Sequence, residues 1–117
     1  VTQHLTLTTS TSPAGAVIAL TGDLDHHTTP QVRTALGKLN LLAGQQLVLD
    51  LGALTFCDST GITVLIAARN HALAANATIA LTAVPDRVSR IFRIVGLDQV
   101  FTTYPTTSEA EAARHPA

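Results

Sequence analysis

Cysteine is nearly absent: Cys57 is the only one in 117 residues. No intrachain disulfide can form and no Cys–Cys zinc spacing exists, so a reducing cytoplasm is the expected compartment. Charge is scarce as well. Lys and Arg number seven against eight Asp and Glu, 13% of residues with a net charge of −1 at pH 7. No segment gathers the basic residues that a phosphate backbone requires, which disfavours nucleic-acid binding. Long apolar runs are missing too: the start of the chain has no basic stretch leading into an apolar segment. Every apolar stretch is interrupted well short of the roughly 20 residues of a spanning helix, so neither secretion nor membrane insertion is expected. There is no Gly-rich Walker pattern to cradle a nucleotide and no Gly-x-Ser-x-Gly elbow to present a nucleophile. Internal repeats and low-complexity linkers are also absent.

What is present is an apolar share of 46%, enough to bury a core and too high for a disordered chain. The length suits one domain, so residues 1–117 are expected to fold as a unit around one core. Leu5 and Leu7 alternate with threonines, and the Ser10 to Gly15 stretch, with Pro13 and Gly15, predicts a turn into a second strand over Val17 to Thr21. Gly22 is expected to end that strand. Pro30 suits a first helical turn, and Val32, Ala35, Leu36, Leu39 and Leu42 recur at helical spacing, predicting a helix from near Pro30 to near Leu42 before a stop at Gly44. Leu47, Leu49 and Leu51 share one face of a third strand. From Ser59 to about Ala75 the residues Ile62, Leu65, Ile66 and Leu73 mark the inner side of an alanine-rich helix, with Arg69 and Asn70 on the wet side.

Ile79 and Leu81 predict a fourth strand broken by Pro85, and Val88, Ile91, Phe92 and Val95 a short helix ended by Gly96. Val100 to Tyr104 reads as a last strand and Ser108 to Arg114 as a terminal helix. The order β-β-α-β-α-β-α-β-α predicts the α/β class, a mixed sheet of roughly four to five strands with parallel crossover units and helices packed against it. If the second, third and fourth strands run parallel, one sheet edge collects the loops Gly22 to Thr29, Gly52 to Asp58 and Val84 to Asp86, where ligand or partner contacts are expected.

The strongest local signal on that edge is Phe56-Cys57-Asp58-Ser59-Thr60-Gly61, where a strand and a short loop feed a helix whose first turn is polar. A helix N-terminus has unpaired N–H groups and partial positive charge, so a phosphate on Ser59 would be stabilised there by up to roughly 1 kcal/mol. Such a group adds about −1.5 to −2 charges beside Asp58 and near Asp23, which would repel an acidic or tightly packed partner without melting the helix. The plain structural alternative makes Asp58 an N-cap, Ser59 and Thr60 ordinary first-turn residues, and Gly61 a close-packing position.

Asp58-Ser59-Thr60-Gly61, following Leu47-Val48-Leu49-Asp50-Leu51, resembles the phosphorylation motif of the bacterial anti-sigma factor antagonists, the STAS domain family. Leu20-Thr21-Gly22-Asp23-Leu24-Asp25 is similar to the family's Gly-Glu-Leu-Asp loop, with Asp23 in place of the commoner Glu. The likeness spans nearly the whole chain. It implies an unmodified chain that binds an anti-sigma factor, itself a serine kinase, and so frees a sigma factor. The kinase would phosphorylate Ser59, with Thr60 as the competing acceptor, and a PP2C-type phosphatase would reverse the step. Asp23, Asp25, Asp58, Ser59, Thr60 and Gly61 are the partner-contact candidates. ATP and metal would belong to the partners, so the chain needs no cofactor and has no catalytic duty. A single copy is the expected state.

Other features are weaker. His26 and His27 are adjacent, point in different directions, and lack a third ligand at metal spacing, so no metal site is expected. Asp23 and Asp25 could touch a partner or hold their turn through backbone amides. Cys57, a lone small thiol at a strand-to-helix turn, reads as packing more than as a redox centre. Arg87, Arg90 and Arg93 could present a positive face to an acidic partner or simply be solvated. Two other family roles compete: a STAS subunit of a sensory scaffold, expected to accompany an N-terminal domain, and a relative of the domain that follows anion-transporter membrane segments. These 117 residues include neither companion.

Overall fold

The structure, a computed structural model, describes residues 5–113. Its elements run β1 (Leu5–Ser12), β2 (Gly15–Leu24), α1 (Thr29–Lys38), β3 (Gln46–Cys57), α2 (Ser59–Ala74), β4 (Thr78–Thr82), α3 (Asp86–Val95), a 3-10 turn (Leu97–Gln99), β5 (Thr103–Tyr104) and α4 (Thr107–Ala112). The five strands form one sheet in chain order. β1 and β2 are an antiparallel hairpin, and the remaining neighbours are parallel. The mixed α/β architecture is the expected one.

The principal core lies on one face of the sheet. Ile18, Leu20 and Leu24 of β2, Leu47, Leu49 and Leu51 of β3, and Leu81 of β4 meet Val32 and Leu36 of α1, Val64 and Leu65 of α2, and Val88 and Phe92 of α3. The Phe92 ring stacks on Phe101 at 5.7 Å between centroids. A smaller cluster on the opposite face joins Val48 and Ala80 to Ala110 of α4.

Several boundaries differ from expectation. β3 continues past Leu51 to Cys57, so the stretch from Gly52 is strand where a loop is predicted. Two register shifts against β2, between Ala19 and Thr21 and between Gly22 and Asp23, each leave an extra residue on β3. Bulges change the alternation phase, so Leu54 returns to the core although Gly52 and Ala53 break the pattern before it. β2 likewise passes through Gly22 and ends at the fully buried Leu24.

α1 stops at Lys38, short of Leu42: Leu39 has extended backbone, and Leu42 is 59% exposed. Gly37 and Asn40 are poor helix formers at that end, and Leu39 and Leu41 reach the core's rim from non-helical chain. In α2 the buried residues are Gly61, Ile62, Val64, Leu65, Ala68 and Ala72, so Ile62 and Leu65 face inward as expected, while Leu73 is 46% exposed. Small side chains let this helix approach the sheet closely, a role that hydrophobicity alone assigns to Leu73. The last strand shrinks to Thr103–Tyr104 because Val100 and Phe101 complete the turn after Gln99. The terminal helix starts at Thr107, and its expected end at Arg114 lies outside the described residues.

Candidate functional site

β3 delivers Asp58 to the N-cap of α2 with extended backbone, and the Asp58 N–H donates to the Leu24 carbonyl at 3.2 Å, tying this junction to the end of β2. One carboxylate oxygen, Oδ1, accepts both the Gly61 N–H at 3.0 Å and the Thr60 hydroxyl at 2.6 Å. The Thr60 hydroxyl, with help from the backbone N–H groups of the first turn and nearby His26, holds the Asp58 carboxyl below its usual range. Asp58 is therefore a charged cap.

Ser59 and Thr60 are both exposed, and they differ in what their hydroxyls do. Thr60 donates to Asp58. The Ser59 hydroxyl has no hydrogen-bond partner among the described residues, and only its carbonyl is engaged, by the Thr63 hydroxyl at 3.0 Å. Gly61 is buried, and a Cβ there would stand 2.6 Å from the Leu24 carbonyl oxygen and 2.8 Å from Cys57 Sγ. The motif thus contains a cap, a free hydroxyl, a bound hydroxyl and a steric requirement.

The neighbouring loop is built by Asp25 and Thr28. Asp25 is buried, and its Oδ1 accepts the His27 and Thr28 N–H groups at 2.9 and 3.1 Å. The Thr28 hydroxyl accepts the Asp25 N–H at 2.9 Å and donates to the Asp23 carbonyl at 2.8 Å. Asp23 is half-exposed, and its carboxylate accepts the Thr55 hydroxyl at 2.8 Å across the ends of β2 and β3. Asp25 therefore shapes the turn while Asp23 remains accessible beside Phe56, its partner in the ladder.

Cys57 is half-buried, and burial, helped by the Asp58 charge, pushes its thiol up to about 12. A protonated thiol is a poor nucleophile. His26 and His27 are exposed with ring centroids 3.9 Å apart, and among the described residues no three His, Cys, Asp or Glu side chains gather as a metal set.

One feature escaped the sequence patterns. A cavity of about 190 Å³ opens beside Ser59, walled by Cys57, Asp58, Ile62, and Ile91 and Val95 of α3. A second of about 220 Å³ continues it past Ile91 toward Phe56 and Arg87. Phe56 is 47% exposed, Val95 57% and Ile94 77%. Serine 59 thus sits at the rim of an apolar trough. Its signal was the surplus in α3, where Val88 and Phe92 alone are fully buried and Ile91, Ile94 and Val95 are not. Arg87 borders the trough and donates to the Thr55 carbonyl at 3.1 Å.

Comparison with known proteins agrees with this geometry. Residues 7–103 match the family model described as "Mlab, STAS domain". An anti-sigma-B factor antagonist of Listeria monocytogenes is 31% identical over 83 residues, which cover 71% of this chain and 73% of that protein. Among solved structures, an anti-sigma factor antagonist from Mycobacterium paratuberculosis superposes with a TM-score of 0.79 at 26% identity, covering 95% of this chain and 94% of its own. The fold also matches SpoIIAA in its unphosphorylated form, with a TM-score of 0.72 at 24% identity over 90% of this chain and 92% of SpoIIAA. No helix among the described residues is long and apolar enough to cross a membrane. With its two loops joined at Leu24 and its serine at the head of α2, this chain belongs to the STAS domain family.

Proposed function

We propose that the chain is a cytoplasmic anti-sigma factor antagonist whose binding face is switched by phosphorylation of Ser59. The observation that carries the proposal is the division of labour in the first turn of α2: Thr60 donates its hydroxyl to Asp58, while Ser59 presents a hydroxyl unpartnered among the described residues beside exposed apolar surface. Unmodified, that surface binds an anti-sigma factor that is also a serine kinase, which releases the sigma factor. The kinase moves the γ-phosphoryl group of ATP onto Ser59 Oγ; the serine loses its proton and ADP departs. A PP2C-type phosphatase hydrolyses the ester. This chain contributes substrate and binding surface, and no catalysis.

The physics of the switch is local. The helix N-terminus tolerates a phosphate, so the fold persists. On the surface, about −1.5 to −2 charges arrive at the rim of an apolar trough already flanked by Asp58 and Asp23. A partner that buries Phe56 and Val95 would have to desolvate that charge, and burial of an unpaired charge is strongly disfavoured. Asp25 acts indirectly by fixing the loop that carries Asp23, and Gly61 by allowing the helix to seat.

The test is to mix the purified chain with the kinase-type anti-sigma factors encoded in the same genome, before and after adding ATP and magnesium, and to locate phosphate by mass spectrometry. A complex that forms without ATP, dissolves as phosphate appears on Ser59, and persists with Ser59→Ala is the expected result. Phosphate on Thr60 instead, or autophosphorylation without a kinase, refutes the assignment. No complex and no modification with any candidate points to the scaffold role.

A further inference from the structure

The two edges of the sheet are unlike. β5 is two residues long and runs directly into Pro105, both of which blunt an edge against pairing. β1 is eight residues long, Leu-Thr-Leu-Thr-Thr-Ser-Thr-Ser, with no charge and no proline. It has none of the devices that keep an open edge from recruiting another strand.

The register defines what this edge offers. Ser12 pairs with Gly15 where the hairpin closes, and in an antiparallel ladder hydrogen-bonded and non-hydrogen-bonded pairs alternate from such a closing pair. Counting back in twos, Leu7, Thr9 and Thr11 turn both N–H and C=O away from β2, and these groups have no partner among the described residues. The same residues line a groove of about 640 Å³ between β1 and α1, with Gln31, Thr34, Ala35, Lys38 and Leu39 on its far wall. The helical layer ends at α1, so beyond the buried Leu5 and the half-buried Leu7 the strand from Thr8 to Ser12 projects with backbone and side chains uncovered together.

We propose that a second copy of this chain occupies the edge, pairing β1 with β1 antiparallel about a two-fold axis through Thr9. In that register Thr9 faces Thr9, and Leu7 faces Thr11 in both directions, so every outward N–H and C=O of these residues is paired. Self-pairing suits the strand because it carries no charge to repel its copy, and Thr–Thr and Leu–Thr cross-strand pairs are compatible. With the axis perpendicular to the sheet, both helical layers lie on the same side. The two α1 grooves merge over the joined strands, and the Leu7 side chains enter the shared space. Two five-stranded sheets become one continuous sheet, against the single copy expected from sequence. The pairing does not depend on any event at Ser59.

Sedimentation equilibrium of the whole chain tests this. The average mass should rise toward twice the chain mass with concentration. Thr9→Pro removes an outward N–H that β2 does not use, so it should keep the wild-type circular dichroism and weaken dimerisation by at least about tenfold. Thr9→Lys, which adds edge charge without a backbone change, should do the same. Thr9→Cys should give a cross-linked dimer on mild oxidation while the wild type does not. A chain that stays single at millimolar concentration overturns the proposal. So does a dimer that survives both Thr9→Pro and Thr9→Lys, because its interface would lie elsewhere.

Discussion

Asp58, Ser59, Thr60 and Gly61 occupy consecutive positions and do unrelated jobs, and each job predicts a different response to mutation. A methyl at position 61 would meet the Leu24 carbonyl, a backbone atom that cannot rotate away, at 2.6 Å. Gly61→Ala should therefore destabilise the fold by about 1–3 kcal/mol in chemical denaturation, whereas Ser59→Ala should stay within about 0.5 kcal/mol of wild type. Thr60→Val keeps the shape and removes the hydroxyl that most lowers the Asp58 carboxyl. Its expected effect is an upward Asp58 titration, followed by carboxyl carbon shifts. The sign follows from linkage: a carboxyl depressed by folding stabilises the protein above its unfolded value, about 3.9, and that contribution disappears as pH falls through the folded value. Wild type should therefore lose stability with falling pH below about 4 more steeply than Thr60→Val. The sequence displayed these four residues openly, yet it could not separate the free hydroxyl from the bound one. That distinction depends on which side of the first turn the Asp58 carboxylate takes, a matter of side-chain geometry.

At the scale of elements, what could be read depended on whether a segment kept one periodicity. The core of β2, β4 and α3 shows in the spacing of its apolar residues, and so does the edge where the parallel strands end. The far half of β3 did not show, because two bulges shift the phase and Gly52-Ala53 imitates a loop. The exposure of Phe56 is obscured for the same reason: in a loop its ring has no defined side, whereas on a bulged strand it is an exposed aromatic beside Asp23. Helix α3 carries the complementary half of the trough. Val95 is 57% exposed, so Val95→Asp should leave the melting temperature within a few degrees of wild type, a shift corresponding to about 0.5 kcal/mol. On the proposed function it should weaken binding of the unmodified chain to its kinase partner, since an apolar contact is replaced by a charge that must be desolvated. Tight binding by this variant would place the interface away from α3 and confine it to the loops around Asp23 and Ser59.

For the whole molecule, the decisive asymmetry is between the two faces of the sheet. Helices α1, α2 and α3 share one continuous core, whereas among the described residues α4 is the helix on the other face, held through Ala110 against Val48 and Ala80, the Gln46 side-chain N–H bonded to the Ala110 carbonyl at 3.1 Å, and the Thr82 and Thr107 hydroxyls 3.4 Å apart. The oxygen of that amide, Gln46 Oε1, is buried with no partner among the described residues, which reduces the net gain from docking. A short helix held by so few contacts should open independently of the main core. Ala110→Asp sets a charge at a fully buried position, where it has no partner and must be expelled. The expected result is rapid amide exchange confined to α4 and the neighbouring β5, with slow exchange kept in β2, β3 and α2. Because the Ser59 surface is built on the opposite layer, from the ends of β2 and β3 and the head of α2, on the proposed function phosphorylation of this variant by its kinase partner should proceed at the wild-type rate. Coupled loss of protection in both layers would instead mean that α4 closes a single cooperative unit, and the switch surface would then inherit any disturbance from the far side of the sheet.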